Sequence, residues 1–81
     1  MHKPIPDAQI LTSLFTTAMP FGKYKGRLLA DLPTYYLEWF AREGFPKGKL
    51  GMQLQTLFVI KTEGLSYLLD PIRKSITQRS R

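Results

Sequence analysis

Apolar positions fall into four groups along the chain, and the spacing within each group predicts the element that carries it. After Asp7, a residue suited to capping a helix, Ile10, Leu11, Leu14, Phe15 and Ala18 share a single helical stripe, which predicts a packing helix over about residues 8–17. The β-branched pair Thr16 and Thr17 favours leaving that helix, and Pro20 rules out its continuation. In the next group Met19, Phe21, Leu28 and Leu29 flank a tip in which Gly22 and Gly26 bracket Lys23, Tyr24 and Lys25. This pattern predicts a β-hairpin, with strands over about residues 19–23 and 26–29 and with Met19, Phe21 and Leu28 or Leu29 facing inward. Glycine supplies the positive φ of a tight reversal, so Lys23, Lys25 and Arg27 project outward. Pro20 cannot donate to a ladder, so the first strand is an edge, and so short a pair must lean on helices for stability.

Asp31, Leu32 and Pro33 end the extended run, and Thr34 is placed to cap a helix over about residues 35–43. Along that helix Glu38 and Arg42 form an i, i+4 pair on one polar edge, while Tyr35, Tyr36, Leu37, Trp39, Phe40 and Ala41 fill the remaining arc. An apolar arc this wide puts the helix at the centre of the core. Tyr35 and Trp39, at its margin, are alternatively a stacking platform beside the lysines. Gly44 ends the helix as its C′ residue. A third helix is predicted over about residues 50–63 from the stripe Leu50, Leu54, Leu57 and Phe58, widened by Ile60, with Lys61 and Gly64 marking its end. Its start carries Lys47 and Lys49 on either side of Gly48, cations set against the positive end of the helix dipole. After it come one helical turn, a bend at Asp70 and Pro71, and a short helix over about residues 71–77, with Tyr67, Leu68, Leu69, Ile72 and Ile76 closing the core. Residues 1–6 and 78–81 are expected to fray. The expected fold is therefore α+β and mostly helical, with three to four short helices around one short hairpin in a single domain, residues 1–81.

Composition narrows the functional classes. Of 81 residues, 43% are hydrophobic, with one Trp, four Tyr and five Phe, enough to build a core. A domain this small buries only about 60% of the surface its unfolded chain exposes, so modest stability is expected. Without cysteine there are no disulfides and no thiolate metal sites. No apolar run reaches the length of about 20 residues that spans a bilayer, and the opening MHKPIPDAQ lacks a secretory core, so a cytoplasmic, non-membrane protein is expected. Twelve Lys and Arg against six Asp and Glu give a net charge of +6, which favours anionic partners.

Catalytic chemistry does not assemble. The single histidine, His2, lies in the lead-in; Asp7, Asp31 and Asp70 read as caps or turn residues; Glu38 belongs to a surface pair, and Glu43 and Glu63 close helices. The stretch from Gly44 to Lys49 places only three residues between its glycines and puts Leu50 where a magnesium-binding Ser or Thr would stand, so it is no nucleotide-hydrolysing loop. No enzyme, cofactor or metal is expected. Two readings remain. In the leading one Lys23, Lys25, Arg27, Lys47 and Lys49 contact nucleic-acid phosphates, while Tyr24 and Trp39 stack on unpaired bases. In the alternative the chain is a protein-interaction or adaptor domain that binds an acidic partner through aromatic anchors around Tyr24 and Tyr35.

The runs MPFGKYKG, DLP, YLEWF, GFPKGKLG and GLSYLLDPIR resemble the small bacterial family called putative quorum-sensing-regulated virulence factor, over nearly the whole chain. The segment over residues 19–41 also resembles a short block appended to some 3'-to-5' exonucleases, which implies an accessory role near nucleic acid. The catalytic domain of those exonucleases has no counterpart in this sequence.

Overall fold

A stripe of residues 53, 54, 57 and 60 recurs at the helical period in the longest element, and the other helices gather on it. The computed structural model describes the backbone of residues 8–79 and the side chains of residues 8–74. Four helices follow in order: α1 Ala8–Ser13, α2 Thr34–Glu43, α3 Gly48–Thr62 and α4 Asp70–Arg79, with 3₁₀ turns at Leu29–Asp31 and Ser66–Leu68. Leu54, Leu57 and Ile60 of α3 are fully buried with Leu14, Met19, Leu29, Leu32 and Leu37. Packing of α2 on α3 is the principal helix contact, and both 3₁₀ turns also lie against α3. The core therefore centres on α3, and not on α2, where only Leu37 and Phe40 are buried.

The α+β expectation is overturned: the described residues contain no strand, only an isolated antiparallel bridge between Ala18 and Leu28. The reversal itself is present, with Gly22 at φ 81° and Gly26 at φ 91°. Its limbs, however, meet only where Met19 N–H donates to Arg27 C=O (2.7 Å), Gly26 N–H to Met19 C=O (2.8 Å) and Leu29 N–H to Thr17 C=O (3.0 Å). Beyond Met19 the missing N–H of Pro20 stops the pairing. The tip then spends its backbone donors on turns, Lys25 to Gly22 and Arg27 to Tyr24. Met19 and Leu29 point inward as expected, but Phe21 and Leu28 are exposed.

Other boundaries move for local reasons. Helix α1 stops at Ser13, whose hydroxyl donates to Ile10 C=O (2.6 Å), and irregular turns carry the chain on. Pro33, not Thr34, is the N-cap of α2, and Thr34 is its first residue. Lys47 is the N-cap of α3, which begins two residues before the predicted start. In α4 Asp70 is already helical, an acid suited to the first turn. Leu69 is buried and Ile72 packs on the core, whereas Tyr67 is 64% exposed and closes nothing. The helix runs to Arg79, through part of the expected frayed end. His2, the Asp7 cap, the lead-in and the Ile76 side chain lie outside the described residues.

Close packing at Gly51 and polar contacts from Gln53, Lys61 and Arg73 lock the helices. A Cβ on Gly51 would lie 1.7 Å from the Pro46 carbonyl oxygen, so only glycine lets the loop cross the first turns of α3. Gln53, 3% exposed, donates through Nε2 to Ser13 Oγ (2.9 Å) and Thr17 Oγ1 (3.4 Å), tying α3 to the α1 region. Lys61 Nζ donates to Leu32 C=O (2.7 Å), and Arg73 reaches Asp31 (3.5 Å) while covering the Phe15 ring (4.8 Å). Burial lowers the Lys61 pKa from its usual 10.5; the negative charge of Asp31 opposes this and that of Arg73, being positive, adds to it.

Alanine normally exceeds glycine in helix propensity by about 1 kcal/mol, yet Gly51→Ala is expected to lower stability by roughly 2–4 kcal/mol through the Pro46 clash. A thermal melt decides the sign: a rise in Tm would show that the loop has room. Gln53→Leu is expected to destabilise by about 1–2 kcal/mol, with part recovered in the double variant with Ser13→Ala. For Lys61 the folded pKa lies below 10.5, so the unfolded chain holds more protons in the window between them. Relative to Lys61→Met, the wild type should therefore gain stability as pH rises through that window, in denaturant titrations; a falling difference would contradict the burial.

Candidate functional site

Gly22 brings the turn onto α2. Its φ of 81° is open to glycine, and a Cβ there would lie 2.7 Å from Tyr36 Oη, the far end of a side chain that can shift, so it is the positive φ that calls for glycine. Two residues on, Tyr24 stands edge-on to Tyr36 (4.7 Å between centroids) and its hydroxyl hydrogen-bonds that of Tyr35. The contact passes through α2 from ring to ring: Tyr36 to Phe40 at 5.1 Å, Trp39 to Phe40 at 5.0 Å, Phe40 to Phe45 at 6.3 Å, and Phe45 to Phe58 of α3 at 6.0 Å. Edge-on and offset rings of this kind attract beyond their buried area, by about 0.5–1.5 kcal/mol a pair. The result is a stiff aromatic wall backed by the core.

In front of that wall lies an open groove of about 460 Å³, bounded by Phe21 and Gly22 on the turn and by Tyr35, Tyr36, Trp39 and Phe40 on α2. Phe21 (44%), Tyr35 (55%) and Trp39 (46%) are half exposed, which is unusual for three large rings so close together. Helix geometry explains the division of α2: Leu37 and Phe40, three apart, face the core, and Tyr35 and Trp39, four apart, share the opposite margin. Among the described residues the Trp39 indole N–H and the Tyr36 hydroxyl have no hydrogen-bond partner. Charge at the edge is of both signs, from Lys23, Glu38 and Arg42. Among the described residues the expected Glu38–Arg42 ion pair is not formed.

The residues expected to contact phosphate are dispersed. Lys23 Nζ lies over the rings of Tyr24 (5.6 Å) and Tyr35 (5.7 Å), and the Arg27 guanidinium lies 6.0 Å from the Tyr24 ring. Lys25 is exposed at the tip. Lys47 and Lys49 sit at the start of α3, a different element from the turn that carries Lys23, Lys25 and Arg27. Trp39 lines the groove. The described residues thus form neither a hairpin nor a basic cluster, and the nucleic-acid reading is corrected accordingly. Lys23 and Arg27 are laid on aromatic faces, and Glu38 lines the groove together with Lys23. Nor does this mixed edge select an acidic partner. The pattern of apolar positions misassigned Phe21, which was expected inward and is 44% exposed. Phe21 stands between Pro20, which cannot pair, and Gly22, which turns the chain away, and those neighbours were the available signal that its ring is open. Among the described residues no group of three or more His, Cys, Asp or Glu could hold a metal, and no helix is long and apolar enough to cross a membrane.

No solved structure matches the chain. Two curated relatives do, the uncharacterized protein YpeB of Escherichia coli strain K12 and its counterpart in Escherichia coli O157:H7. Each is 54% identical over 71 residues, covering 86% of this chain and 99% of the relative. The family described as Putative quorum-sensing-regulated virulence factor matches residues 7–72, a span that takes in the turn, α2 and α3. A match that contains both walls of the groove and the helix behind them covers the whole unit just described, and the chain belongs to that family.

Proposed function

We propose that this protein is a nonenzymatic interaction module that receives an apolar segment of a partner protein in the groove between the turn at Phe21 and helix α2. The observation that carries this reading is the convergence of three half-exposed rings, Phe21, Tyr35 and Trp39, on one cavity in front of a packed aromatic wall. Large rings left in water at a concave site are what interfaces are anchored on. They supply apolar area with few torsions to freeze, and Tyr and Trp add a polar handle. The size of the groove lies within the range of about 300–1,000 Å³ typical of ligand sites. Its lining holds one carboxylate, Glu38, without a second acid or a histidine beside it, which supports binding over acid–base chemistry. The family description speaks of regulation by quorum sensing and of virulence, and assigns no chemistry.

Selection from a random peptide library displayed against the purified protein tests this directly. Enriched peptides should lose at least about tenfold in affinity on Phe21→Ala, as truncation of an interface anchor does. The melting temperature should change little, because that ring is half in water. Enriched peptides that bind Phe21→Ala and Tyr35→Ala as tightly as the wild type would place the interaction elsewhere.

A further inference from the structure

Resting on that reading, we infer that the segment taken by the groove is an electrically neutral, proline-bearing stretch in the polyproline II conformation. Complementarity to the lining decides among the ways a peptide can dock. Strand addition needs a free sheet edge, and the described residues contain no strand beside the groove. A docked helix has already used its own carbonyls internally, so it would cover the Trp39 N–H and the Tyr36 hydroxyl without answering them. Leaving a covered donor unanswered costs about 1–3 kcal/mol. A polyproline II segment has no internal hydrogen bonds, and all its carbonyls are open acceptors. Proline also brings no N–H, which suits a lining that offers donors and a single carboxylate, Glu38.

Spacing and charge agree. Tyr35 and Trp39 are i, i+4 neighbours on α2, which sets their attachment points about 5–6 Å apart. Polyproline II repeats every three residues, so two of its three edges face the slot and rings on those edges lie against the two aromatic rings of the helix. Phe21 closes the other side of the slot. Around it the charges alternate, Lys23, Glu38 and Arg42, so a ligand of either sign meets repulsion as well as attraction. A neutral ligand avoids this. The segment is also stiff before it binds, which lowers the entropy lost on docking.

The single tryptophan of the chain, Trp39, lies in the groove and reports its occupancy. The full-length protein is titrated with a capped, uncharged peptide of repeated Pro-Pro-Leu triplets, and with its counterpart in which alanine replaces proline, following tryptophan fluorescence. A saturable change is expected with the proline peptide, at least about tenfold weaker with the alanine counterpart, and weakened in Phe21→Ala and Tyr36→Phe. Tyr36→Phe removes only the hydroxyl, so its melting temperature should stay close to that of the wild type. Equal affinity for the two peptides overturns the proline assignment and leaves the groove as an apolar binding site. Binding of library-selected peptides, but not of the proline peptide, has the same consequence. Failure of the proline peptide, its alanine counterpart and the library alike overturns both the assignment and the reading it rests on.

Discussion

The face of α3 that carries Gly51, Gln53, Leu54, Leu57 and Ile60 is buried along its length, and each neighbouring element is placed by what it does against that face. Gly51 admits the Pro46 backbone, which fixes the angle at which the loop from α2 enters. Gln53 reaches Ser13 and Thr17, which fixes the end of α1 and the entry to the reversal. Leu54, Leu57 and Ile60 fill the space under α2 and the 3₁₀ turns. In so small a domain this one helix face supplies much of the apolar burial that offsets chain entropy. A side chain too large at position 51 or a broken hydrogen bond at position 53 acts on the whole assembly.

The groove is a consequence of that arrangement. With Leu37 and Phe40 directed at α3, the 3.6-residue period sends Tyr35 and Trp39 to the opposite margin of α2. The turn at Gly22 then rests on Tyr36, and Tyr24 joins the Tyr35 hydroxyl, so the second wall is held by contacts with the first. Phe40, Phe45 and Phe58 continue the ring contacts down to α3. A site on a turn alone would be loose, whereas one backed by this chain of rings is presented in a fixed shape, which lowers the cost of binding.

Much of this was legible in the pattern of residues. Helical spacing located all four helices, and the glycines at positions 22, 26 and 44 marked reversals where positive φ is found. What spacing could not weigh was the competition for backbone hydrogen bonds around Pro20. Alternation near Met19 and Phe21 suggested strands, but one missing N–H and two turn hydrogen bonds left a single bridge. Polarity hid Gln53, whose position on the stripe with Leu57 and Ile60 pointed inward although its side chain did not. The wide aromatic arc of α2 was visible, yet which rings stayed in water depended on where α3 lay, and that is a tertiary fact. The same holds for the lysines. Their number carries no sign that two cations lie on tyrosine rings while Lys47 and Lys49 stand at a different helix.

The most direct measurement is amide chemical-shift mapping of the labelled protein with a groove-selected peptide added. Changes should concentrate at residues 21–24 and 35–42, with the start of α3 around residues 47–49 and the exposed residues of α4 left in place. Changes centred on residues 47–49, or scattered evenly over the surface, would contradict the assignment of the open face of α2 as the binding surface.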